Sequence, residues 1–162
     1  MDDSRLDTSK TFTGDIYLEE DGKRRPIRID DSGWLRIMDA QVLPVTLWFG
    51  CYQEDDGDIY IIKEFTNGGS KSDRVLSLND DGRLGLYSGS SRPWRILRQD
   101  GEVLVPRSTP EAAITVSTKG GRVWTANNSQ CKAAKGAGSN FVVHIHKVGV
   151  YRFSVSYTHL TL

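Results

Sequence analysis

His144 and His146 stand two positions apart in Phe141-Val142-Val143-His144-Ile145-His146. In an extended chain, residues two apart share a face, so both imidazoles can approach one metal ion. Two nitrogen ligands do not complete a structural zinc site. No cysteine, aspartate or glutamate stands near them at ligand spacing, and Phe141, Val143 and Ile145 claim the opposite face for a core. The pair therefore reads as an outward, solvated strand face, and neither a metal nor any other cofactor is expected. The acidic runs Asp30-Asp31-Ser32-Gly33, Asp55-Asp56-Gly57-Asp58 and Asn79-Asp80-Asp81-Gly82 suggest calcium by composition. They lack the ligand spacing and closing glutamate of a calcium loop, and they suit tight turns, where Asp, Asn and Gly tolerate positive φ.

Aromatic rings offer a different chemistry. Trp34, Trp48, Phe49, Tyr52, Tyr60, Tyr87 and Trp94 crowd the first two thirds of the chain. Exposed rings beside Asp or Asn can stack on sugars, whereas buried ones are packing. Trp34 and Tyr87 lead the ligand-binding candidates because they flank equivalent glycine turns; Tyr52 and Trp94 follow, although Trp94, after Pro93 in a strand, also suits a core. No catalytic residue is expected. Cys51 has no histidine at a recognisable spacing, no nucleophile-elbow motif occurs, and Gly120-Gly121 and Gly136-Ala137-Gly138 lack the strand–loop–helix frame of a phosphate loop. Asn127-Asn128-Ser129 fits the glycosylation acceptor pattern, which needs a secretory context to matter. Cys51 and Cys131 are too few for a disulfide scaffold and read as reduced packing residues.

The elements that must carry these residues are short strands. Alternating β-formers recur at 15–18, 26–29, 34–37, 45–49, 59–62, 75–78, 83–86, 94–97, 114–116, 122–124, 141–146 and 150–155, divided by Gly, Asp, Asn and Pro. This is the pattern of an antiparallel all-β chain. Gly33 and Gly82 are 49 positions apart, as are Pro44 and Pro93. At that offset Ile27 and Ile29 fall on Leu76 and Leu78, Leu35 and Ile37 on Leu84 and Leu86, and Leu47 on Ile96. Gly14-Asp15-Ile16-Tyr17 recurs as Gly57-Asp58-Ile59-Tyr60. An internal duplication is expected, with a core of Ile16, Leu18, Ile27, Ile29, Leu35, Ile37, Leu47, Ile59, Ile61, Leu76, Leu78, Leu84, Leu86 and Ile96. A third copy would make the chain a β-trefoil, but it is weak: Gly101-Glu102-Val103-Leu104 echoes the leading strand, and the strand at Phe141 comes later than the repeat demands.

Lys and Arg (21) balance Asp and Glu (21) in 162 residues. A neutral chain has no footprint for nucleic acid. No apolar run is long enough for a membrane span, and the acidic start MDDSRLDTSK does not read as a signal peptide. The polar, proline-bracketed stretch at 107–111 reads as a linker. The expected division is a flexible tail at 1–11, a duplicated antiparallel barrel or sandwich at 12–106, and a second β domain at 112–155. A single β-trefoil is the alternative.

Ile114-Thr115-Val116, Arg122-Val123-Trp124-Thr125-Ala126-Asn127, Phe141 to Ile145 and Gly149-Val150-Tyr151-Arg152-Phe153-Ser154-Val155 together resemble a short bacterial immunoglobulin-like module of the kind attached to phage tail and surface proteins. The resemblance implies an incomplete immunoglobulin-like sandwich at 112–155. It also implies a non-catalytic structural or adhesive role at a virion or cell surface, with other structural proteins of the assembly or a surface glycan as partner. A carbohydrate-binding module using the exposed aromatics is the alternative. Residues 156–162 are similar to a translated sequencing-adaptor tail and read as non-native.

Overall fold

The computed structural model describes residues 5–65, 74–88, 92–106 and 110–149. Twelve strands follow in order: β1 (Phe12–Glu20), β2 (Lys23–Ile29), β3 (Leu35–Ile37), β4 (Leu47–Glu54), β5 (Gly57–Glu64), β6 (Val75–Leu78), β7 (Leu84–Tyr87), β8 (Arg95–Arg98), β9 (Glu111–Ser117), β10 (Val123–Asn127), β11 (Gln130–Ala134) and β12 (Phe141–Val148). The expected all-β, antiparallel class is what the chain adopts. Among the described residues no helix is long and apolar enough to cross a membrane.

The strands form a ten-stranded sheet and a two-stranded sheet, β6–β7. Seven strands of the large sheet close on themselves in the order β1-β2-β3-β11-β10-β9-β12. A second circuit runs β1-β4-β5-β8-β9-β12. Its β5–β8 junction is Tyr60, which exchanges two backbone hydrogen bonds, of 2.7 and 2.9 Å, with Trp94 beside β8. The hairpins β2–β3, β6–β7 and β10–β11 meet at one end through three equivalent bonds. Ile37 N–H donates to the Ser129 carbonyl (2.9 Å), Leu86 N–H to that of Gly33 (2.8 Å) and Ala133 N–H to that of Gly82 (2.8 Å). With the second circuit, β1, β4, β5, β8, β9 and β12, as the six barrel strands and the three hairpins as the cap, the chain is three four-strand units in tandem, the connectivity of a β-trefoil, which the repeat raised as an alternative.

The two sheets are not the two expected domains. Strands from both sides of 107–111 are hydrogen-bonded neighbours: β1 with β12, β3 with β11 and β8 with β9. One buried cluster holds Phe12, Ile27, Leu76 and Trp94 together with Ile114, Trp124, Cys131 and Phe141. Residues 111–148 are therefore not a free-standing sandwich, because β12 and β9 spend their outer edges on strands from the first part. The expected flexible tail is also corrected over residues 6–11. Leu6 bridges to Tyr52, Asp7 N–H donates to the Cys51 carbonyl at 2.8 Å, and Thr11 is buried with its hydroxyl accepting from Cys51 N–H at 3.0 Å. The expected strand at 150–155 and the tail at 156–162 lie outside the described residues.

Alternation sets the core as expected, with twelve of the fourteen anticipated core residues buried and Ile29 and Leu78 partly so. The third unit leaves only a weak repeat in the sequence because its volumes are redistributed. Ile27 faces Ile37, and Leu76 faces Leu86, but Trp124 faces Ala133. One large and one small side chain fill the space that two medium ones fill elsewhere, as close packing requires. β11, read as Gln-Cys-Lys-Ala-Ala, thus carries almost no β-forming signal. Its turn is also shorter, with Asn128 at φ +59° in place of a four-residue Asx loop.

Candidate functional site

The four aromatic candidates separate by burial. Tyr52 is enclosed with Ile59, Ile61 and Val75 in a small satellite core. Trp94 is fully buried, its Nε1–H donating to the Leu76 carbonyl at 3.0 Å and its ring edge-on to Trp124 at 5.5 Å. Both are corrected from ligand candidates to core residues. The reasons differ: Trp94 points into the main core, whereas Tyr52 lies on the opposite face of β4 from Phe49 and Cys51, where Leu6, Ile59, Ile61 and Val75 cover it and keep its ring from water.

Trp34 and Tyr87 come together, half-buried, on the face made by β3 and β7. Their rings meet edge to face at 6.0 Å. Gly85 makes the approach possible: a Cβ there would stand 2.8 Å from the Gly33 carbonyl oxygen and 2.9 Å from Trp34 Cε3. The Arg83 guanidinium lies over the Trp34 ring, 4.3 Å from its centroid, and Tyr87 O–H donates to the Arg83 carbonyl at 3.3 Å. Arg36 and Asp30 pair beside them at 2.9 Å. Burial pushes the Tyr87 phenol above its ordinary range, with Arg83 opposing, so the hydroxyl stays protonated as a donor. A guanidinium stacked on Trp34, next to a second ring and a carboxylate, sets apolar and polar groups side by side, as a sugar-like ligand requires. The repeat pointed to Trp34 and Tyr87; Arg83 went unnoticed because a lone arginine in a strand carries no pattern.

The acidic turns act on their own backbone. Asp30 Oδ1 accepts from Ser32 N–H and Trp34 N–H, both at 2.9 Å, and Asn79 Oδ1 accepts from Asp81 N–H (3.0 Å) and Arg83 N–H (2.9 Å). Gly33 and Gly82 close these loops at φ +92° and +83°.

A second polar cluster was not visible in the sequence. His144 and His146 are exposed, as expected, with Ile145 turned inward. However, the antiparallel register sets Asp15 of β1 directly opposite His144. His146 Nε2 lies 2.9 Å from Asp15 Oδ2, and the two imidazole rings meet edge to face at 5.6 Å. The absence of a carboxylate partner holds only along the chain; across the sheet there is one. Asp15 is 6% exposed, and its other oxygen accepts from the Thr46 hydroxyl at 3.4 Å. Beyond His144, Glu111 of β9 is held by Arg24 of β2.

The two thiols are free and buried, and burial pushes both up to about 12. Neither has the depressed value of a reactive cysteine. No protein-family model and no curated protein sequence matches the chain.

Proposed function

We propose that this protein is a non-catalytic binding module that recognises a surface carbohydrate through the face built from Trp34, Tyr87 and Arg83. The observation that carries this reading is the half-buried, edge-to-face Trp34–Tyr87 pair with a guanidinium stacked 4.3 Å from the Trp34 centroid. Rings fixed at an angle by a glycine-backed hairpin present an apolar wall at little entropic cost. The surrounding arginine donors and the Asp30 carboxylate supply the polar contacts that orient hydroxyl groups. A glycan array followed by titration of intrinsic tryptophan fluorescence tests it. The expected result is a saturable signal whose affinity Trp34→Ala and Tyr87→Ala each reduce by about fivefold or more, since loss of one aromatic anchor removes roughly 1 kcal/mol or more. Array silence across plant, bacterial and animal glycans would reject it.

A structural or adhesive module of a phage tail or surface assembly is the second reading. It draws support from Leu97 and Val103, which bridge to each other and stay 41% and 53% exposed. Adjoining apolar side chains left in water on a sheet suit contact with another protein. Loss of assembly in Leu97→Ser and Val103→Ser variants, with glycan arrays silent, would favour that role.

A further inference from the structure

We propose that Asp15, His144 and His146 bind one divalent first-row transition ion, for which zinc is the working probe, and that the ion clips the first strand of the barrel to the last. This site is independent of the carbohydrate face and lies on a different set of strands.

Three separate features of β1 and β12 converge on this site. The first is the donor set. One carboxylate oxygen and one nitrogen from each imidazole all lie within 4.8 Å of one another. Around an ion with bonds of about 2.0–2.1 Å, ligand atoms in tetrahedral array stand about 3.3 Å apart. Closing the gap calls for rotation of the two imidazoles, both of which are exposed. Two imidazoles and a carboxylate are ligands that suit zinc, copper, nickel or ferrous iron, and three protein ligands leave a coordination position open.

The second feature is the backbone. The β1–β12 register runs Thr13 with Lys147, then Gly14 with Ile145, so His146 is the extra residue of a β-bulge. A bulge re-aims the side chain it displaces, and here His146 is turned onto the carboxylate opposite its neighbour. Gly14 lets the strands come this close: a Cβ at that position would stand 2.5 Å from the His144 carbonyl oxygen.

The third is the carboxylate itself. Asp15 is almost fully buried while its imidazole partners face solvent, with His146 at 37% side-chain exposure. A carboxylate taken out of water requires a cationic or strongly donating partner. Its neighbours are the Thr46 hydroxyl at a long 3.4 Å and His146. The adjacent acidic side chain, Glu111, is engaged in a two-pronged pair with Arg24 and is not needed for the site.

The test uses the full-length chain without an affinity tag, titrated with zinc by calorimetry and followed by thermal unfolding. The expected result is one zinc per chain and a melting temperature that rises with zinc concentration, as binding to the folded state alone requires. His144→Gln, His146→Gln and Asp15→Asn should each weaken binding by more than about tenfold. The two histidine positions are exposed, so those variants should keep the wild-type circular dichroism. His159→Ala, which removes the third histidine of the chain, should bind like wild type. The proposal is overturned by no saturable binding below about 1 mM zinc, by binding that survives the His144→Gln/His146→Gln double variant, or by binding that disappears with His159→Ala.

Discussion

The Asp30 carboxylate accepts from two backbone N–H groups through one oxygen and from Arg36 Nε, at 2.9 Å, through the other. Burial pushes this carboxyl up, but the bonds from Arg36, Trp34 and Ser32 together outweigh it and hold it below its ordinary value of 3.8. A depressed folded-state value means that the stabilisation is present above the unfolded value and is lost as pH falls through the folded one. Asp30→Asn, which copies Asn79 of the second unit, should keep the turn and flatten the acid limb of stability below about pH 4. Asp30→Ala should cost about 0.5–1.5 kcal/mol by urea unfolding at neutral pH, because the exposed Ser32 N–H and the partly buried Trp34 N–H lose their acceptor. Among the tryptophans, Trp94 satisfies its indole N–H on the Leu76 carbonyl, while Trp124 Nε1 is buried with no hydrogen-bond partner among the described residues. Both lose similar apolar volume on mutation to Phe, but only Trp94→Phe breaks a hydrogen bond. Trp94→Phe should therefore be the more destabilising by about 1 kcal/mol in chemical denaturation, and equal costs would contradict this account.

The three hairpins behave as one cap because each places a turn carbonyl against the next hairpin's N–H. Gly82 is where this geometry is tightest. It combines φ +83° with a 2.6 Å approach of any added Cβ to the Ala133 carbonyl oxygen. Gly101 has a similar φ of +86° with open space around it. Gly101→Ala should carry only the backbone penalty of about 1 kcal/mol, whereas Gly82→Ala should cost at least about 2 kcal/mol more by displacing β11. Melting temperatures of the two variants measure the difference, which isolates hairpin contact from turn conformation. At this scale the first two units were legible, since both use medium-sized alternating residues and a four-residue Asx turn. The third was not, since a Trp–Ala pair and a shorter turn satisfy the same geometry with a different sequence.

At the scale of the molecule, both circuits of strands pass through β1, β9 and β12, so neither part of the chain on its own closes a barrel. Unfolding by urea should be a single transition, with tryptophan fluorescence and far-ultraviolet circular dichroism coinciding. A fragment of residues 1–106 should be unfolded when expressed alone, because β1 and β3 would lose β12 and β11. Sharp, dispersed amide resonances from that fragment would show instead that the proline-bracketed stretch divides two independent folding units.

The sequence by itself determined what depends on near neighbours. Period-two alternation set the strands and their inward faces, and Gly, Asp and Asn set the turns, because pleat and φ are local properties. It also singled out Trp34 and Tyr87, through a repeat that aligned them on equivalent hairpins. Only the tertiary structure decided which strands share a sheet. That choice rests on long-range hydrogen bonding and on volume summed across units, neither of which leaves a pattern along the chain. The same folding decision brought Asp15 beside His144 and His146 across more than a hundred residues, buried Tyr52 and Trp94, and joined the two expected domains into one barrel.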